Sequence, residues 1–501
     1  MTLSRRDFLK IGGASCLVAG TGAALAGCAS SDDSAPLADT GEAALVGYQP
    51  VSFAEETDIL IIGSGYAALA AAMAPALAGK KIIMAEKQLQ TGGDSATSCC
   101  FMFANGTELQ QAAGNPKTID EYWEASAEKL SAGWDQYEWF GEWVKGKTYA
   151  MTNFVNSAIN DFGAKFQEPC TEAELPRLFG SVILPEGGIG TGGPNILVPL
   201  ASKLKELGVD TRCGLRATAL IKDAEGAVIG CRFEDTSSGR ITDIKAQATV
   251  LATGGFADNG EMVAEYLPAW ANRAQLVHGC IGEGHKMAAA AGAQMFGMDS
   301  SFERCNLMGD IPNCTTWGYW TPVVLVLPNG KRFIEEAQSH DAAQAALDAG
   351  YTQWWSIFDQ RAFEARAIAE SVEGNIKSHE DVYVKADTLE ELAAGMDVPT
   401  DTLAATFARY DELVAGGEDT DFGKVAWLES LQPPYHALKL NVCRYKTSGG
   451  VMVGPNNQVL DTNDAEIPGL YAAGAVALQS FASISACMAT GYYVGETLAA
   501  L

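Results

Sequence analysis

The clearest succession of apolar and polar segments lies between Thr57 and Lys87. A short run of β-branched apolar residues at 58–62 predicts a buried parallel strand, and the small residues at 67–78 predict a helix that packs closely on a sheet. A second apolar run at 81–85 predicts another strand. The segment is therefore predicted to form a strand, a helix and a strand in succession.

Similar patterns occur further along the chain. Residues 248–259, "ATVLATGGFADN", predict a buried strand that runs into a Gly-Gly turn, and a further segment rich in small residues, "IPGLYAAGAV", lies near the C-terminus at 467–476. Residues 209–247 read as a β-meander with turns at "DAEGA" and "TSSGR". Together these segments predict an α/β fold with a parallel sheet and a β-meander.

Helical periodicity marks two other regions. Residues 118–166 alternate acidic and aromatic positions and predict an amphipathic helical excursion packed on the core. Residues 197–207 place four leucines on one helical face. Residues 276–440 have a different texture of polar loops, aromatics and helices, which predicts a separate part of the molecule.

The turn after the first predicted strand carries the first chemical signal. Residues 63–68, "GSGYAA", fit the pattern GxGxxG/A. In that pattern Gly63 serves the tight turn, Gly65 allows a pyrophosphate to approach, and Ala68 allows helix and strand to pack closely. Glu86 ends the second strand, where a carboxylate can hold a pair of ribose hydroxyls. The unit predicts a dinucleotide site that serves NAD and FAD alike.

The N-terminal pattern predicts export. Residues 4–10, "SRRDFLK", match the address of the twin-arginine route, and an apolar stretch rich in Gly and Ala follows at 11–27. Residues 25–28, "LAGC", resemble a lipobox, which predicts that Cys28 becomes a lipidated anchor. The alternative is an ordinary signal peptide whose last residue happens to be Cys. Residues 29–52 are predicted to form a flexible tether.

Charge and cysteine spacing exclude several classes of function. The 501 residues contain 34 Lys and Arg against 62 Asp and Glu, a net charge of −28, so the surface repels nucleic acid. None of the 12 cysteines forms a CxxC or CxxCH motif, so we predict neither metal nor covalent haem. The pairs Cys99 with Cys100 and Cys305 with Cys314 are either redox-active or buried structural thiols.

A series of motifs resembles a known family. The series is GxGxxA, Glu86, "GGDS" at 92–95, "ATGGF" at 252–256, "RYDELVAGGEDTDFG" at 409–423 and "GLYAAG" at 469–474. It resembles the flavoprotein family of fumarate reductases, urocanate reductase and 3-ketosteroid Δ1-dehydrogenases, over nearly everything after residue 55. The resemblance implies FAD as the cofactor, around which the protein folds before export. It also implies an α/β fold with a Rossmann-like FAD-binding domain in two parts, 53–275 and 441–501, and an inserted α+β cap domain at 276–440.

The resemblance also implies which residues bind the cofactor. They belong to the glycine-rich turn, the end of the second strand and three further small-residue loops: Gly63, Gly65, Ala68, Glu86, Lys87, Gly93, Asp94, Ser95, Thr253, Gly254, Gly474 and Ala475.

The family adds or removes two hydrogens across a C–C bond next to an electron-withdrawing group. Flavin N5 carries the hydride, and a group of the cap handles the proton. In fumarate reductases a stretch similar to residues 329–344, "NGKRFIEEAQSHDAAQ", carries a proton-donating Arg, and His340 occupies that place here. The alternative is a solvent-facing His340 at the start of an Ala-rich helix, 341–348.

The substrate side departs from the fumarate reductases. Lys446 occupies the position at which fumarate reductases have a His that binds a substrate carboxylate. Arg304 is a possible substitute for their "QxHPT" element, which is absent here. Tyr445 is a second group that can polarise a carbonyl. Fumarate reductases carry an Arg near the C-terminus that also binds the substrate, and residues 476–491, "VALQSFASISACMATG", contain no cation in its place. We therefore expect an enone, enoate, aryl-acrylate or steroid-like ring in place of fumarate. His278 is expected to be a structural residue, and the last two histidines, His379 and His436, surface or turn residues.

Three functions follow. The first is an exported reductase, lipid-anchored on the outer face of the cytoplasmic membrane or in the periplasm, that passes electrons from a membrane quinol or cytochrome-type donor to a small unsaturated organic substrate. The second is the reverse reaction, an α,β-dehydrogenase of a steroid-like ketone. The third is a non-catalytic electron-transfer lipoprotein on a flavin fold.

Overall fold

The computed structural model describes most of the chain after residue 44. The described residues are 45–46, 49–98, 102–115, 117–131, 138–167, 169, 182–183, 186, 192–275, 278–299, 303–307, 322–336, 342–361, 382–424, 426–447, 449–477 and 484–501.

The strands among these residues are, in chain order, β1 Leu45–Val46, β2 Gln49–Pro50, β3 Phe53–Ile62, β4 Ile82–Glu86, β5 Met102–Phe103, β6 Val182–Ile183, β7 Asp210–Cys213, β8 Leu215–Lys222, β9 Val228–Asp235, β10 Ile241–Leu251, β11 Ala274–Gln275, β12 Met295–Phe296, β13 Glu303–Leu307, β14 Val323–Val326, β15 Gln353–Asp359, β16 Tyr383–Ala386, β17 Tyr435–Lys446, β18 Gly450–Val451, β19 Gln458–Leu460 and β20 Glu466–Ala472.

The α-helices are α1 Tyr66–Leu77, α2 Glu108–Ala112, α3 Ile119–Ser131, α4 Phe140–Asn160, α5 Gly192–Glu206, α6 Gly260–Tyr266, α7 Glu283–Ala290, α8 Ala342–Asp348, α9 Leu389–Met396, α10 Thr400–Gly416 and α11 Ile484–Ala499. Within the described ranges, short 3-10 helices lie at Gly93–Thr97, Pro268–Trp270 and Gly474–Val476.

The first large sheet is built around five parallel strands. Its order is β19, β20, β10, β3, β4 and β7, and all neighbours from β20 to β7 are parallel. Strands β8 and β9 extend from β10 as an antiparallel meander. The parallel sheet with a β-meander was predicted, and the α/β class is confirmed. Parallel pairing places the carboxyl ends of β3, β4, β10 and β20 on one edge, where open α/β sheets bind ligands.

Small side chains let two helices pack closely on this sheet. Helix α1 is buried along most of its length, and α11 lies against it. A Cβ atom on Gly491 would lie 2.3 Å from the carbonyl oxygen of Ala67, and one on Gly495 would lie 2.8 Å from that of Ala71. Glycine in α11 therefore sets how closely the two helices approach.

The second large sheet forms the part of the molecule that the sequence predicts as a cap. Strand β17 is central and pairs with β11, β13, β15 and β16, and β14 extends the sheet from β15. All of these pairs are antiparallel except β11 with β17. The predicted domain boundaries stay a prediction.

A buried ion network joins two segments of the cap. Arg332 donates to both carboxylate oxygens of Glu336, at 2.7 and 2.8 Å, and to Asp419 Oδ2 at 2.6 Å. Lys424 Nζ lies 3.3 Å from Glu336 Oε2 and donates to the carbonyl oxygen of Val323 at 2.7 Å. All four charged side chains are at most 6 % exposed. The network fixes the "RFIEE" segment against the loop that follows α10.

The expectation for His436 was wrong. This residue lies within β17, is 2 % exposed, and stacks between the rings of Phe358 and Tyr383. Tyr383 Oη lies 2.6 Å from His436 Nδ1, and burial lowers the pKa of the imidazole to about 4. A central position in the sheet made it a packed residue, and the local sequence carried no signal of the strand pairing. His379 lies outside the described residues.

Among the residues that the structure describes, no helix combines the length and apolar character that crossing a membrane requires.

Candidate cofactor site

A cleft opens at the carboxyl edge of the parallel sheet. Its empty volume is about 1260 Å³, open mouth included. Its main lining segments are the turn after β3, the end of β4 with the following loop, the turn after β10, the loop before α7 with the start of that helix, and the turn after β20. Individual residues of β8, β17 and α11 complete the lining. Eleven of the twelve residues predicted to bind the cofactor line this cleft, namely Gly63, Gly65, Glu86, Lys87, Gly93, Asp94, Ser95, Thr253, Gly254, Gly474 and Ala475. Ala68 instead lies fully buried in α1, in the packing position that the motif assigns to it.

The first turn fits a closely approaching ligand. Gly63 has φ +113°, and a Cβ atom there would lie 2.2 Å from the carbonyl oxygen of Ala252. A Cβ atom on Gly65 would lie 3.0 Å from Ser95 Oγ, which accepts a hydrogen bond from the backbone N–H of Tyr66. The turn leads directly into α1, whose N-terminus favours a phosphate group.

Glu86 is held in place at the end of β4. Ser64 Oγ donates to Glu86 Oε2 at 2.5 Å, and the N–H of Gln88 donates to Oε1 at 2.9 Å. Ser64 Oγ in turn accepts from the N–H of Gly92 at 2.9 Å. The carboxylate is thus fixed where the motif requires an acceptor for ribose hydroxyls.

An ion-paired cluster that sequence reasoning missed lies beside Glu86. Glu283, the first residue of α7, forms ion pairs with two cations. Lys87 Nζ lies 2.6 Å from its Oε2, and Arg216 Nε lies 2.5 Å from its Oε1. Burial works to raise the pKa of Glu283, but the two cations outweigh it, and the pKa is lowered. In the sequence, this residue is marked only by the glycines on either side of it, "GEG" at 282–284.

The turn after β10 is closed by a threonine from the end of the cap strand. Thr447 Oγ1 accepts from the N–H of Phe256 at 3.0 Å and would lie 2.4 Å from a Cβ atom on Gly255. Buried His285 reaches the same loop, since its Nε2 lies 3.0 Å from the carbonyl oxygen of Gly449. Burial lowers the pKa of His285 to about 4, so the ring is neutral at pH 7 and donates through Nε2.

The turn after β20 completes the cleft. Gly474 has φ +76°, and a Cβ atom there would lie 2.7 Å from Ala67 Cβ. Its N–H donates to Thr490 Oγ1 at 3.0 Å. Ala475 lines the cleft beside Gly474.

The structure describes the four predicted catalytic residues to different extents. Lys446, at the end of β17, is half-buried and lines the cleft. The backbones of Arg304 and Tyr445 lie in β13 and β17, but their side chains are outside the described part of the structure. His340 lies outside the described residues. His278 lies at the mouth of the cleft with its side chain 77 % exposed.

The residues fit a dinucleotide. The turn before α1 has no room for a side chain, an acceptor is fixed at the ribose position, and further glycine turns surround the rest of the cleft. Within the described ranges, no three His, Cys, Asp or Glu side chains are grouped so as to hold a metal ion.

Known proteins agree with this geometry. The family model described as "FAD binding domain" matches residues 58–489. The protein named "Probable fumarate reductase Ifc3" from Shewanella frigidimarina is 30 % identical over 434 residues, which cover 84 % of this chain and 70 % of that protein. A urocanate reductase from Eggerthella lenta is 28 % identical over 85 % of this chain and 70 % of its own length. A vinyl phenol reductase from Lactiplantibacillus plantarum is 26 % identical over 83 % and 89 % respectively.

Solved structures share the fold. The open conformation of a flavocytochrome c3 fumarate reductase superposes with a TM-score of 0.68 at 28 % identity, covering 89 % of this chain and 79 % of that chain. A 3-ketosteroid-Δ4-(5α)-dehydrogenase from Rhodococcus jostii RHA1 reaches a TM-score of 0.70 at 23 % identity, covering 91 % and 100 %, which is a likeness of fold alone.

The cleft and the family match lead to one conclusion. The match covers both the glycine turn before α1 and the turn after β20, which lie together at the sheet edge. The chain is an FAD-dependent oxidoreductase and belongs to the FAD-binding-domain family that includes the fumarate and urocanate reductases.

Proposed function

We propose that this protein reduces a carbon–carbon double bond conjugated to an electron-withdrawing group. The observation that carries the proposal is Lys446, a cation that the cap strand β17 delivers into the FAD cleft. Relatives that share the FAD-binding domain are named for the reduction of fumarate, urocanate and vinyl phenol. Bound FAD supplies the hydride that this chemistry needs.

Lys446 has the chemistry to bind and polarise the activating group. An ammonium group stabilises negative charge that develops on a carbonyl or carboxylate oxygen during the reaction. Tyr445 and Arg304 belong to neighbouring strands of the same sheet, where Glu303 pairs with Lys446 and Arg304 with Arg444. The motifs that these two residues occupy support assigning them to the substrate side, and we assign the proton donor to His340.

The cations among the described residues of the cleft support a substrate class. Among the described lining residues the cationic side chains are Lys87 and Lys446, and Lys87 is paired with Glu283. A dicarboxylate such as fumarate needs paired cations at both ends to offset desolvation. An enone, enoate or aryl-acrylate with a single activating oxygen group suits this cleft better.

A panel of acceptors tests the proposal. Reduced methyl viologen would supply electrons, and fumarate, urocanate, a cinnamate, 4-vinylphenol and a steroid enone would be offered one at a time. We expect turnover of a mono-activated alkene, with the saturated product identified by mass spectrometry, and little turnover of fumarate. Oxidation of the saturated steroid with an acceptor dye, and no reduction of any alkene, would favour the dehydrogenase. Bound flavin that cycles without turnover of any compound would favour the electron-transfer protein.

His340 is tested by substitution within the same assay. We expect His340→Gln to lower kcat at least about 100-fold, the usual contribution of a general acid, and to leave FAD bound. His379→Gln is the matched control, a second histidine of the cap segment, and should keep its rate. An unchanged rate in His340→Gln would assign the proton to another group.

We also propose that the protein acts outside the cytoplasmic membrane, anchored through a lipidated Cys28 and supplied by a membrane quinol or cytochrome-type donor. The "SRRDFLK" and "LAGC" motifs support this proposal. Replacing Arg5 and Arg6 by Lys should keep the protein in the cytoplasm, and Cys28→Ser should release it from the membrane fraction. Membrane association that persists in Cys28→Ser would contradict the lipid anchor.

A further inference from the structure

An acidic side chain lies in the cofactor cleft close to the expected phosphate position. Asp94 lines the cleft and precedes Ser95, whose hydroxyl oxygen accepts the first N–H of α1, from Tyr66, at 3.0 Å. The α1 N-terminus is where a dinucleotide of this type places its pyrophosphate. A carboxylate therefore lines the cleft next in sequence to the residue that binds the N-terminus of α1.

Asp94 is held by a thiol from the loop before α7. Cys280 Sγ donates to Asp94 Oδ2 at 2.9 Å, and the same sulfur would lie 2.5 Å from a Cβ atom on Gly254. The thiol is thus confined between the carboxyl group and the turn after β10. Burial raises the pKa of Cys280 well above its ordinary value, so the sulfur remains a protonated donor.

The charges that face Asp94 offset one another in part. Asp258, on the loop after β10, opposes ionisation of Asp94, whereas Lys446 and Lys87 favour it. Lys87 is already paired with Glu283 at 2.6 Å. His278 shares the rim with Asp258, at 3.4 Å from Oδ1. Burial is the largest influence on Asp94 and raises its pKa, against the opposing hydrogen bond from Cys280.

FAD would add to the forces that oppose ionisation. Its pyrophosphate brings negative charge into the cleft, and its body displaces the water that solvates the carboxylate. We propose that Asp94 takes up a proton from solvent when FAD binds, and that the neutral carboxyl group remains as a hydrogen-bond donor in the filled cleft. The step is a proton transfer to one carboxylate oxygen and changes no oxidation state.

The sign of the pH dependence follows from this uptake. A complex that binds more protons than its separate components is favoured by low pH. FAD affinity should therefore be greatest at low pH and fall as the pH rises, by at most tenfold per pH unit for one proton. The inference rests on FAD as the cofactor and is independent of which alkene is reduced.

The test is the dissociation constant of FAD as a function of pH. The full chain, freed of FAD and retitrated between about pH 5.5 and about pH 8.5, reports binding through quenching of flavin fluorescence. The decisive variant is Asp94→Asn, because an amide has the shape of the neutral acid and cannot ionise. Asp401→Asn, an exposed carboxylate of α10, is the control and should follow the wild type.

We expect Asp94→Asn to bind FAD with nearly constant affinity, and about threefold or more tightly than the wild type at the highest pH. Cys280→Ser keeps a donor to Asp94 and should retain the dependence on pH. An equal slope in Asp94→Asn and wild type would overturn the proposal. So would weaker binding by Asp94→Asn at every pH, because it would mean that the ionised carboxylate serves the cofactor. Alkene reduction by the wild type would stand in either case.

Discussion

Thr490 supports the cofactor cleft without lining it. Its hydroxyl oxygen accepts a hydrogen bond from the N–H of Gly474, and its O–H donates to the carbonyl oxygen of Ala486 at 2.7 Å. Its own carbonyl oxygen accepts from Asn457 Nδ2 at 3.0 Å. Asn457 Oδ1 in turn accepts from Trp143 Nε1 of α4. A buried chain of hydrogen bonds therefore runs from α4 to the turn that follows β20.

Removing the hydroxyl of Thr490 should loosen that turn. Thr490→Val keeps the shape and leaves the N–H of Gly474 without its acceptor, a loss that typically costs about 1 to 3 kcal/mol. We expect FAD affinity to fall about tenfold or more. Thr490→Ser restores the oxygen and should recover most of the affinity. Fluorescence titration measures the FAD affinity of the wild type and of both variants. Equal affinity in all three would show that the turn after β20 keeps its conformation without the hydroxyl of Thr490.

Single residues also mark how far the sequence could predict the site. The glycine turn and Glu86 were predictable, because strand, turn, helix and acid follow within one continuous segment. Thr490, Cys280 and Glu283 were not, because the cleft residues that they hold, Gly474, Asp94 and Lys87, lie at least 16 residues away in the chain. His436 was misread for the same reason, since its burial depends on pairing with β15 and β16.

Among the elements, α4 carries an unusual buried lysine. Lys147 is 8 % exposed, and its Nζ lies 4.1 Å from the centre of the Trp143 ring. Burial lowers its pKa to about 7. The unfolded chain keeps this side chain protonated up to about pH 10.4, so it binds more protons than the folded state between these values. The contribution of Lys147 to stability is thus less favourable near pH 7 than at higher pH.

Lys147→Met should therefore make the folding free energy less dependent on pH. We expect the wild type to gain up to about 1.4 kcal/mol per pH unit from this group above pH 7, and Lys147→Met to lack the gain. Lys145→Met, on the same helix but less buried, is the control. Urea unfolding at two pH values above neutrality measures the difference. Parallel pH profiles for wild type and Lys147→Met would contradict a buried neutral lysine.

The cap depends on its ion network in a different way. Arg332 bridges Glu336 and Asp419, and its guanidinium also lies 5.1 Å from the Tyr410 ring and 4.9 Å from the Phe422 ring. Asp419 additionally accepts backbone N–H groups of residues 421, 422 and 424. The network ties the loop after α10 to the segment that leads towards His340.

Arg332→Met should destabilise the cap by about 3 to 5 kcal/mol, because it removes the cation that bridges two buried carboxylates and leaves Glu336 with Lys424 alone. Arg332→Lys keeps the charge and loses the paired hydrogen bonds, so a smaller loss is expected. Thermal unfolding of the FAD-bound protein measures both variants, and Arg409→Met, which removes an exposed ion pair, is the control. A loss no greater than that of Arg409→Met would show that the network adds little.

At the scale of the whole molecule, the sheet of the FAD-binding part and the cap sheet both contribute residues to the cofactor cleft. Strand β17 runs through the centre of the cap sheet, and its last residue, Lys446, enters the FAD cleft. The next residue, Thr447, closes the turn after β10. One continuous segment therefore connects the packing of the cap sheet with the lining of the FAD cleft. The sequence predicted the parallel sheet and its meander, and the resemblance implied an α+β cap, but neither could show that this strand connects the two parts.

Reoxidation of the bound flavin tests the central claim most directly. The purified protein would be photoreduced without oxygen and mixed rapidly with a cinnamate, an enone, urocanate or fumarate, while flavin absorbance is followed in a single turnover. We predict that one mono-activated alkene restores the oxidised spectrum in proportion to saturated product, and that fumarate does so far more slowly. A flavin that stays reduced with every alkene would contradict the proposed reductase.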